Sequence, residues 1–168
     1  KFNGKIFRVE RIDTHGGSLR VYIKKDQKIK IEKSVKDLLK KEIDYGIKEY
    51  KTYKAFGDKV YKIRENVIKN IKKLKNKNRQ IIGYGSPAKA TTALNFFGIS
   101  NEINFIVEDN KLKHNKFVPG VKIPIKSKKV IADKENVILV LAWNFFNEIK
   151  YKNKDISNHF INIKDLES

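Results

Sequence analysis

Residues 80–89 read Gln80-Ile81-Ile82-Gly83-Tyr84-Gly85-Ser86-Pro87-Ala88-Lys89, an apolar run that passes through two glycines into a helical pattern. The spacing Gly83-x-Gly85-x-x-Ala88 fits the loose dinucleotide-binding pattern, and it stands between a predicted strand and a helix predicted over 88–97. Gly83 permits a tight turn, and Gly85 allows backbone N–H groups to approach a phosphate at the helix N-terminus. The pattern predicts either a phosphate-binding turn or a glycine turn kept for packing alone.

The first turn of the predicted helix favours the phosphate-binding interpretation. Pro87 is predicted there, where its missing N–H costs no hydrogen bond. Lys89 is a cation that opposes the helix dipole, and a bound anion would remove that conflict. Thr91 and Thr92 add hydroxyl donors nearby.

Strand and helix patterns alternate through the rest of the chain. Further strands are predicted over 104–107, 137–141 and 160–163, with a helix through Phe146 and Ile149. The run over 137–141 is continuously apolar, which is typical of a strand covered on both faces in a parallel sheet. The fold class is therefore predicted to be α/β, with a Rossmann-like, mostly parallel sheet.

Ligands of open α/β sheets bind at the carboxyl ends of the strands. Three predicted strand ends, 83–89, 108–110 and 142–144, should therefore converge. Trp143 could stack on a base or cover the sheet, and a lone loop histidine such as His114 is more often exposed than catalytic. The candidate substrate-binding residues are Gly83, Gly85, Ser86, Pro87, Ala88, Lys89, Thr91, Thr92, Asp109, Asn110, His114, Pro119, Gly120, Trp143 and Asn144.

The first third of the chain has a different pattern. Strands are predicted over 5–12 and 18–23, joined by a turn over 13–17, and such a pair should belong to a larger sheet. Ser34 and Asp37 resemble a capping box that would start a helix at Ser34.

A helical connector is predicted over 34–78. Its apolar spacing fits one very long helix or two helices broken near Gly46 or Gly57. The predicted organisation is thus a strand pair over 1–33, the connector, and the α/β domain over 79–168.

The composition narrows the possible functions. The formal net charge is +19, but 33 of the 38 basic residues are lysine, whereas nucleic-acid readers rely on arginine and stacked aromatics. No apolar run has the length of a membrane span, and there is no cysteine for a disulfide or a thiolate metal site. These features predict a cytoplasmic protein that binds neither nucleic acid nor membrane. The start at Lys1, without methionine, leads us to expect a fragment of a longer protein.

Four segments together resemble the C-terminal region of S-adenosylmethionine-dependent C-methyltransferases that act on nucleotide-activated deoxysugars. They are residues 14–22 (Thr-His-Gly-Gly-Ser-Leu-Arg-Val-Tyr), residues 83–92, residues 107–110 running on to Pro119-Gly120 and Ile123-Pro124-Ile125, and residues 142–145 (Ala-Trp-Asn-Phe). Their order and spacing extend over nearly the whole chain, which makes the resemblance more specific than the glycine pattern alone.

The resemblance implies a substrate-positioning role. Residues 86–92 would hold the diphosphate of a nucleotide-diphosphate sugar, while Asp109, Asn110, His114 and Asn144 would contact its base or sugar. Residues 79–168 would form the nucleotide-sugar domain, and residues 1–33 would be the last strands of a methyltransferase domain. The rest of that domain, together with the nucleotide-diphosphate sugar, would be the binding partners of this chain.

The resemblance also implies what the chain lacks. The zinc cysteines, the S-adenosylmethionine glycine loop and the His/Glu base motif of the family are not in this sequence. S-adenosylmethionine and zinc are therefore expected in a missing N-terminal part, where a base would remove a proton beside the sugar's keto group before methyl transfer. The fragment alone, without cofactor, metal or catalytic residue, is expected to be inactive, and His15 is expected to have a structural role.

Two other functions fit parts of the sequence. An NAD(P)-binding oxidoreductase domain would use the glycine pattern and an acid at Glu108 or Asp109, although that acid stands 25 or 26 residues beyond Gly83 where about 20 is usual. A basic nucleic-acid-binding module would use the connector and would bind with steep salt dependence. The scarcity of arginine weighs against the second alternative.

Overall fold

The computed structural model describes residues 2–75 and 79–168, and the backbone alone of His15. The chain divides into two compact units, Lys1–Lys59 and Val60–Ser168. The end of the predicted connector, 76–78, and the role predicted for the His15 side chain lie outside the described residues. None of the helices in the described ranges combines the length and apolar content needed to cross a membrane.

The first unit contains the predicted strand pair. Strand β1 (Lys5–Ile12) and strand β2 (Ser18–Lys24) are antiparallel, with a register irregularity between Ile6 and Arg8. The intervening residues form the predicted turn, with a short 3-10 segment at Thr14–Gly16. The strand pair and the turn are therefore confirmed.

Helix α1 (Lys33–Asp44) follows, and its start corrects the predicted capping box. The residue at the N-cap is Glu32, which makes no side-chain capping bond, and Ser34 lies inside the first turn. The Ser34 hydroxyl instead accepts a hydrogen bond from the backbone N–H of Val9 in β1, 3.3 Å away. This use of the hydroxyl by the neighbouring strand is why the local pattern was misleading.

Over its described residues, 34–75, the connector forms two helices and not one. Helix α2 spans Tyr50–Lys75, and the break before it falls at Gly46, whose φ of +75° is a left-handed conformation that favours glycine. A Cβ at Gly46 would also lie 2.9 Å from Thr52 Oγ1. Gly57, the other predicted break point, lies within α2 and has no such constraint.

The second unit contains the predicted Rossmann-like sheet, which is confirmed. Its strands are β3 (Ile81–Tyr84), β4 (Phe105–Val107), β5 (Ile125–Lys126), β6 (Val137–Val140) and β7 (His159–Asn162). All neighbouring pairs are parallel, in the spatial order β5-β4-β3-β6-β7. Helix α3 (Ala88–Phe97) connects β3 to β4, and helix α4 (Phe146–Lys152) connects β6 to β7.

Alternate residues of the central strands pack on opposite faces of this sheet. Ile81 and Leu139 belong to the apolar cluster that includes α3, while Ile82 and Ile138 belong to the cluster on the other face. All four are at most 1% exposed, which explains why the β3 and β6 sequences are continuously apolar.

The second unit begins at Val60, within α2, and so before residue 79. Val67 and Ile71 of α2 are fully buried in the cluster that includes α3. Asn66 and Asn70 donate side-chain hydrogen bonds to the carbonyls of Glu167 and Leu166, at 3.0 and 3.2 Å. The part of α2 from Val60 to Lys75 therefore belongs to the α/β unit and contributes Val67 and Ile71 to its core.

Candidate functional site

A cleft of about 370 Å³ lies at the carboxyl ends of β3, β4 and β6. The strand order reverses between β3 and β6, because the chain leaves β3 toward β4 on one side and reaches β6 on the other. Such a reversal leaves a crevice beyond the strand ends, which is where open α/β sheets bind ligands. The structure thus brings together the three strand ends singled out in the sequence.

The glycine turn after β3 forms one wall of the cleft. Gly85 has a φ of +85°, and a Cβ there would lie 2.9 Å from that of Ala142. The Gly85 N–H donates to the carbonyl of Val107 at 2.9 Å. Pro87 is the N-cap of α3, one residue before the predicted helical turn, and its carbonyl accepts from the N–H of Ala90.

A carboxylate fills the inner side of this turn. Glu108 Oε2 accepts hydrogen bonds from the Ser86 N–H at 2.9 Å and from the Ser86 hydroxyl at 2.7 Å. Its other oxygen accepts from the N–H of Asn110 at 3.2 Å. Lys113 Nζ lies 3.2 Å from Oε2 and also donates to the Ser86 carbonyl at 3.0 Å.

These contacts determine the charge of Glu108. Burial of the carboxylate favours its neutral form, but the hydrogen bonds from Ser86, Asn110 and Lys113 outweigh it and lower the pKa of Glu108 to about 2. Glu108 is therefore an anion at neutral pH, held inside the glycine turn by groups of the protein itself.

Asp109, the next residue, faces the cleft and is positioned by Tyr84. The Tyr84 hydroxyl lies 3.0 Å from each carboxylate oxygen of Asp109 and 3.3 Å from Asn153 Oδ1, which also accepts from Lys128 Nζ at 2.8 Å. Tyr84 is only 3% exposed, and burial together with the Asp109 carboxylate raises the pKa of its phenol. Because the phenol remains protonated, it can hold the Asp109 carboxylate in one orientation.

Lys89 projects from the first turn of α3 toward Trp143. Its ammonium nitrogen lies 4.9 Å from the centre of the indole ring, which is the geometry of a cation–π contact. Lys164 lies over the same ring at 5.9 Å. The sequence suggested that a bound anion would offset the unfavourable position of the Lys89 cation at the helix N-terminus. The indole ring provides part of that compensation.

Helix α4 and the segment before it form the opposite wall. Asn144 and Phe145 line the cleft from the 3-10 segment Trp143–Phe145, and Phe145 is 60% exposed. Further along the helix, Lys152 Nζ lies 2.6 Å from Glu148 Oε1. This ion pair raises the pKa of Lys152.

Five of the candidate residues from the sequence line this cleft. They are Gly85, Pro87, Lys89, Asp109 and Asn144. Trp143 stands behind Lys89, and Ser86, Asn110 and His114 surround Glu108, with His114 Nε2 donating to the Glu108 carbonyl at 2.7 Å.

The other candidate residues make contacts elsewhere. Thr92 donates to the Ala88 carbonyl of its own helix, and the Thr91 carbonyl accepts from the side chain of Asn95. The same side chain donates to Pro119 and lies where a Cβ of Gly120 would be. Gly83 lies within β3, and its missing side chain leaves room for the sheet core.

The cleft also includes residues that were not among the candidate substrate-binding residues, although Glu108 was a candidate ribose-binding acid for the dinucleotide alternative. They are Tyr84, Glu108, Lys113, Ala142, Phe145, Glu148, Ile149, Lys152 and Asn153. Five of these, Phe145, Glu148, Ile149, Lys152 and Asn153, lie in α4 or directly beside it, at intervals of three or four residues as on one face of a helix. That spacing could have identified them once the helix was placed after a strand end.

The residues that the structure describes offer no set of three or more His, Cys, Asp or Glu side chains that could hold a metal ion. They therefore do not fit the zinc that the sequence resemblance implies elsewhere in such proteins.

Comparison with known proteins agrees with the resemblance. The family model of the C-methyltransferase C-terminal domain matches residues 13–162. The C-methyltransferase NovU of Streptomyces niveus is 30% identical over 150 residues. These residues make up 86% of this chain but 35% of the length of that relative, so the chain spans about a third of it.

Proposed function

The chain belongs to the family of C-methyltransferase C-terminal domains, and on that premise we propose that it positions a nucleotide-diphosphate sugar for methyl transfer at carbon. S-adenosylmethionine and zinc would be bound by a methyltransferase part outside these 168 residues, which would also be the chain's partner. On this proposal the 168 residues do not catalyse methyl transfer alone, and the protein works in the cytoplasm.

The observation that carries the proposal is the cleft at the carboxyl ends of β3, β4 and β6. It combines the groups that a nucleotide sugar needs. Lys89 offers a cation for a diphosphate, Asp109 and Asn144 offer hydrogen-bonding groups for hydroxyls, and the exposed ring of Phe145 offers an apolar surface for a base.

The charges in the cleft also support a substrate that is only partly anionic. Glu108 is paired with Lys113, and Glu148 is paired with Lys152. These pairs leave less net positive charge than a site that binds only phosphates would have. A ligand with one anionic part and one neutral, hydroxyl-bearing part matches this balance.

The test is a titration of the 168-residue chain, followed by amide NMR shifts, with thymidine diphosphate, NAD and S-adenosylmethionine separately. We expect shifts at Lys89, Asn144 and Phe145 with thymidine diphosphate and none with the other two. A response to NAD alone would refute the proposal and would favour the NAD(P)-binding oxidoreductase domain.

Two alanine variants locate the site more closely. Lys89→Ala and Asn110→Ala test the phosphate side and the β4 side, and we expect Lys89→Ala to weaken thymidine diphosphate binding about five- to tenfold. Lys62→Ala is the matched control, because Lys62 is an exposed lysine of α2 that pairs with Glu65 and does not line the cleft. Unchanged affinity in both Lys89→Ala and Asn110→Ala would place the site elsewhere.

A further inference from the structure

The glycine turn is filled by the protein itself. In a phosphate-binding turn, backbone N–H groups point at the anion. Here the Gly85 N–H donates to the Val107 carbonyl, and both the N–H and the hydroxyl of Ser86 donate to Glu108. The Glu108 carboxylate thus takes the hydrogen bonds that a phosphate oxygen would take.

We propose that Glu108 is a specificity-determining residue that excludes phosphate from the glycine turn, so that the cleft receives the neutral, hydroxyl-bearing sugar of the ligand with Asp109 as hydroxyl acceptor. This inference rests on the proposed function, and it further assigns the sugar of the ligand to Asp109 and the diphosphate to Lys89. The diphosphate then lies farther out, toward Lys89.

Electrostatics favours exclusion. The Glu108 side chain is 14% exposed and carries its negative charge inside the turn, 3.2 Å from Lys113 Nζ. A phosphate could enter only beside this carboxylate, where like charges repel, or by displacing it from the four donors that hold it. Displacement would leave the carboxylate without its partners in a partly buried place.

Asp109 has the geometry of a hydroxyl acceptor. A carboxylate accepts through about four lone-pair sites, and the Tyr84 hydroxyl can donate to only one at a time. The remaining sites are available to the cleft, which Asp109 lines. Sugar hydroxyls can donate charge-assisted hydrogen bonds to the Asp109 carboxylate. The oxygens of a diphosphate can only accept, so they cannot make these bonds.

The role of Glu108 is tested with inorganic pyrophosphate. The wild-type chain and Glu108→Gln, which keeps an acceptor oxygen but removes the charge, are titrated while the Gly85 and Ser86 amide signals are followed. We expect these signals to stay in place in the wild type, and to shift in the variant with an affinity at least tenfold higher. Equal affinity for pyrophosphate in the two proteins, at any level, overturns the role of Glu108.

The role of Asp109 is tested with thymidine diphosphate glucose and thymidine diphosphate on the wild-type chain, which keeps the test independent of how Glu108→Gln folds. We expect the wild-type chain to bind thymidine diphosphate glucose more tightly than thymidine diphosphate. In Asp109→Asn, the affinity for thymidine diphosphate glucose should fall about tenfold, while the affinity for thymidine diphosphate should not change. Asp58→Asn, an exposed acid of α2 outside the cleft, is the matched control. Equal affinity of the two ligands for the wild type overturns the inference.

The two arms separate this inference from the proposed function. Binding of both nucleotide ligands with equal affinity leaves the proposed function standing and overturns the role of Asp109. Absence of binding by either nucleotide ligand refutes the proposed function and the role of Asp109 together. The pyrophosphate comparison decides the role of Glu108 in either case.

Discussion

Replacing Gly83 by alanine tests whether the first glycine of the turn serves packing. Gly83 is buried in the middle of β3, and a Cβ there would lie 2.7 Å from Ile106 Cγ1 and 3.0 Å from Leu141 Cδ1. Both neighbours are 0% exposed, so neither side chain has free space to move into. Overpacking of this kind costs about 1–3 kcal/mol of the free energy of unfolding. In the 109-residue unit that contains Gly83, this corresponds to a decrease in Tm of about 4 °C for each kcal/mol.

The assay is denaturant unfolding followed by the fluorescence of Trp143, the one tryptophan of the sequence, which lies in the same compact unit as Gly83. Gly57→Ala is the control, because a Cβ at Gly57 meets nothing within 4 Å and alanine favours the helix. We expect Gly57→Ala to leave the midpoint of the Trp143 transition unchanged or to raise it, and not to lower it. A Gly83→Ala variant with the same transition midpoint as the wild type would refute the packing argument.

Three further predictions concern the cleft and the helix next to it. Tyr84→Phe should lower the free energy of unfolding by about 1–3 kcal/mol, measured by urea denaturation, because it removes the hydrogen bond to a charged acceptor at Asp109. Glu108 has a folded-state pKa of about 2, below its ordinary value near 4.5, so its stabilisation is present above pH 4.5 and is lost as the pH falls toward 2. Glu108→Gln should therefore show less change in Tm across that pH window than the wild type, and equal slopes would contradict this. Gly98→Ala should destabilise by about 1 kcal/mol in thermal unfolding, because Gly98 ends α3 with a φ of +67°.

Strands and helices were predictable from the sequence where a strand is buried on both faces of the sheet, or where a residue next to a helix ends it. Helix α3 was predicted with its observed bounds because Gly98 supplies a left-handed C-terminal residue. Strand β6 was evident because all four of its residues are buried, as a central parallel strand requires. The break at Gly46 was one of two predicted positions, and only the left-handed backbone at Gly46 separates it from Gly57.

The parts that could not be predicted depend on contacts between residues distant in sequence. Ser34 fits a helix cap locally, but its hydroxyl bonds to Val9, which precedes it by 25 residues. Likewise, no neighbour of Lys89 in sequence accounts for a cation at a helix N-terminus, and part of the explanation is the distant Trp143 ring. Local patterns contain no information on such partners.

Glu108 shows that an acid can follow the second strand of such a fold without binding a ribose. The sequence offered this residue or Asp109 as a ribose-binding acid for the dinucleotide alternative, because an acid after the second strand of such a fold has that role. The structure turns the Glu108 carboxylate back to Ser86, so the same position serves the turn itself. A carboxylate engaged in this way is unavailable to a ribose, so a dinucleotide in this cleft would have to use Asp109 instead.

The glycine pattern and the cleft therefore need separate explanations. Gly83 is required because Ile106 and Leu141 occupy the space of its side chain, and Gly85 is required by its positive φ beside Ala142. Neither requirement involves a ligand, so the pattern would persist in a domain that binds no phosphate at the turn. The argument for a nucleotide sugar rests instead on the cleft, where Asp109 is held by the buried Tyr84 and faces groups from a second strand end. Variants at Asp109 and Lys89 consequently test function, whereas variants at the two glycines test the fold.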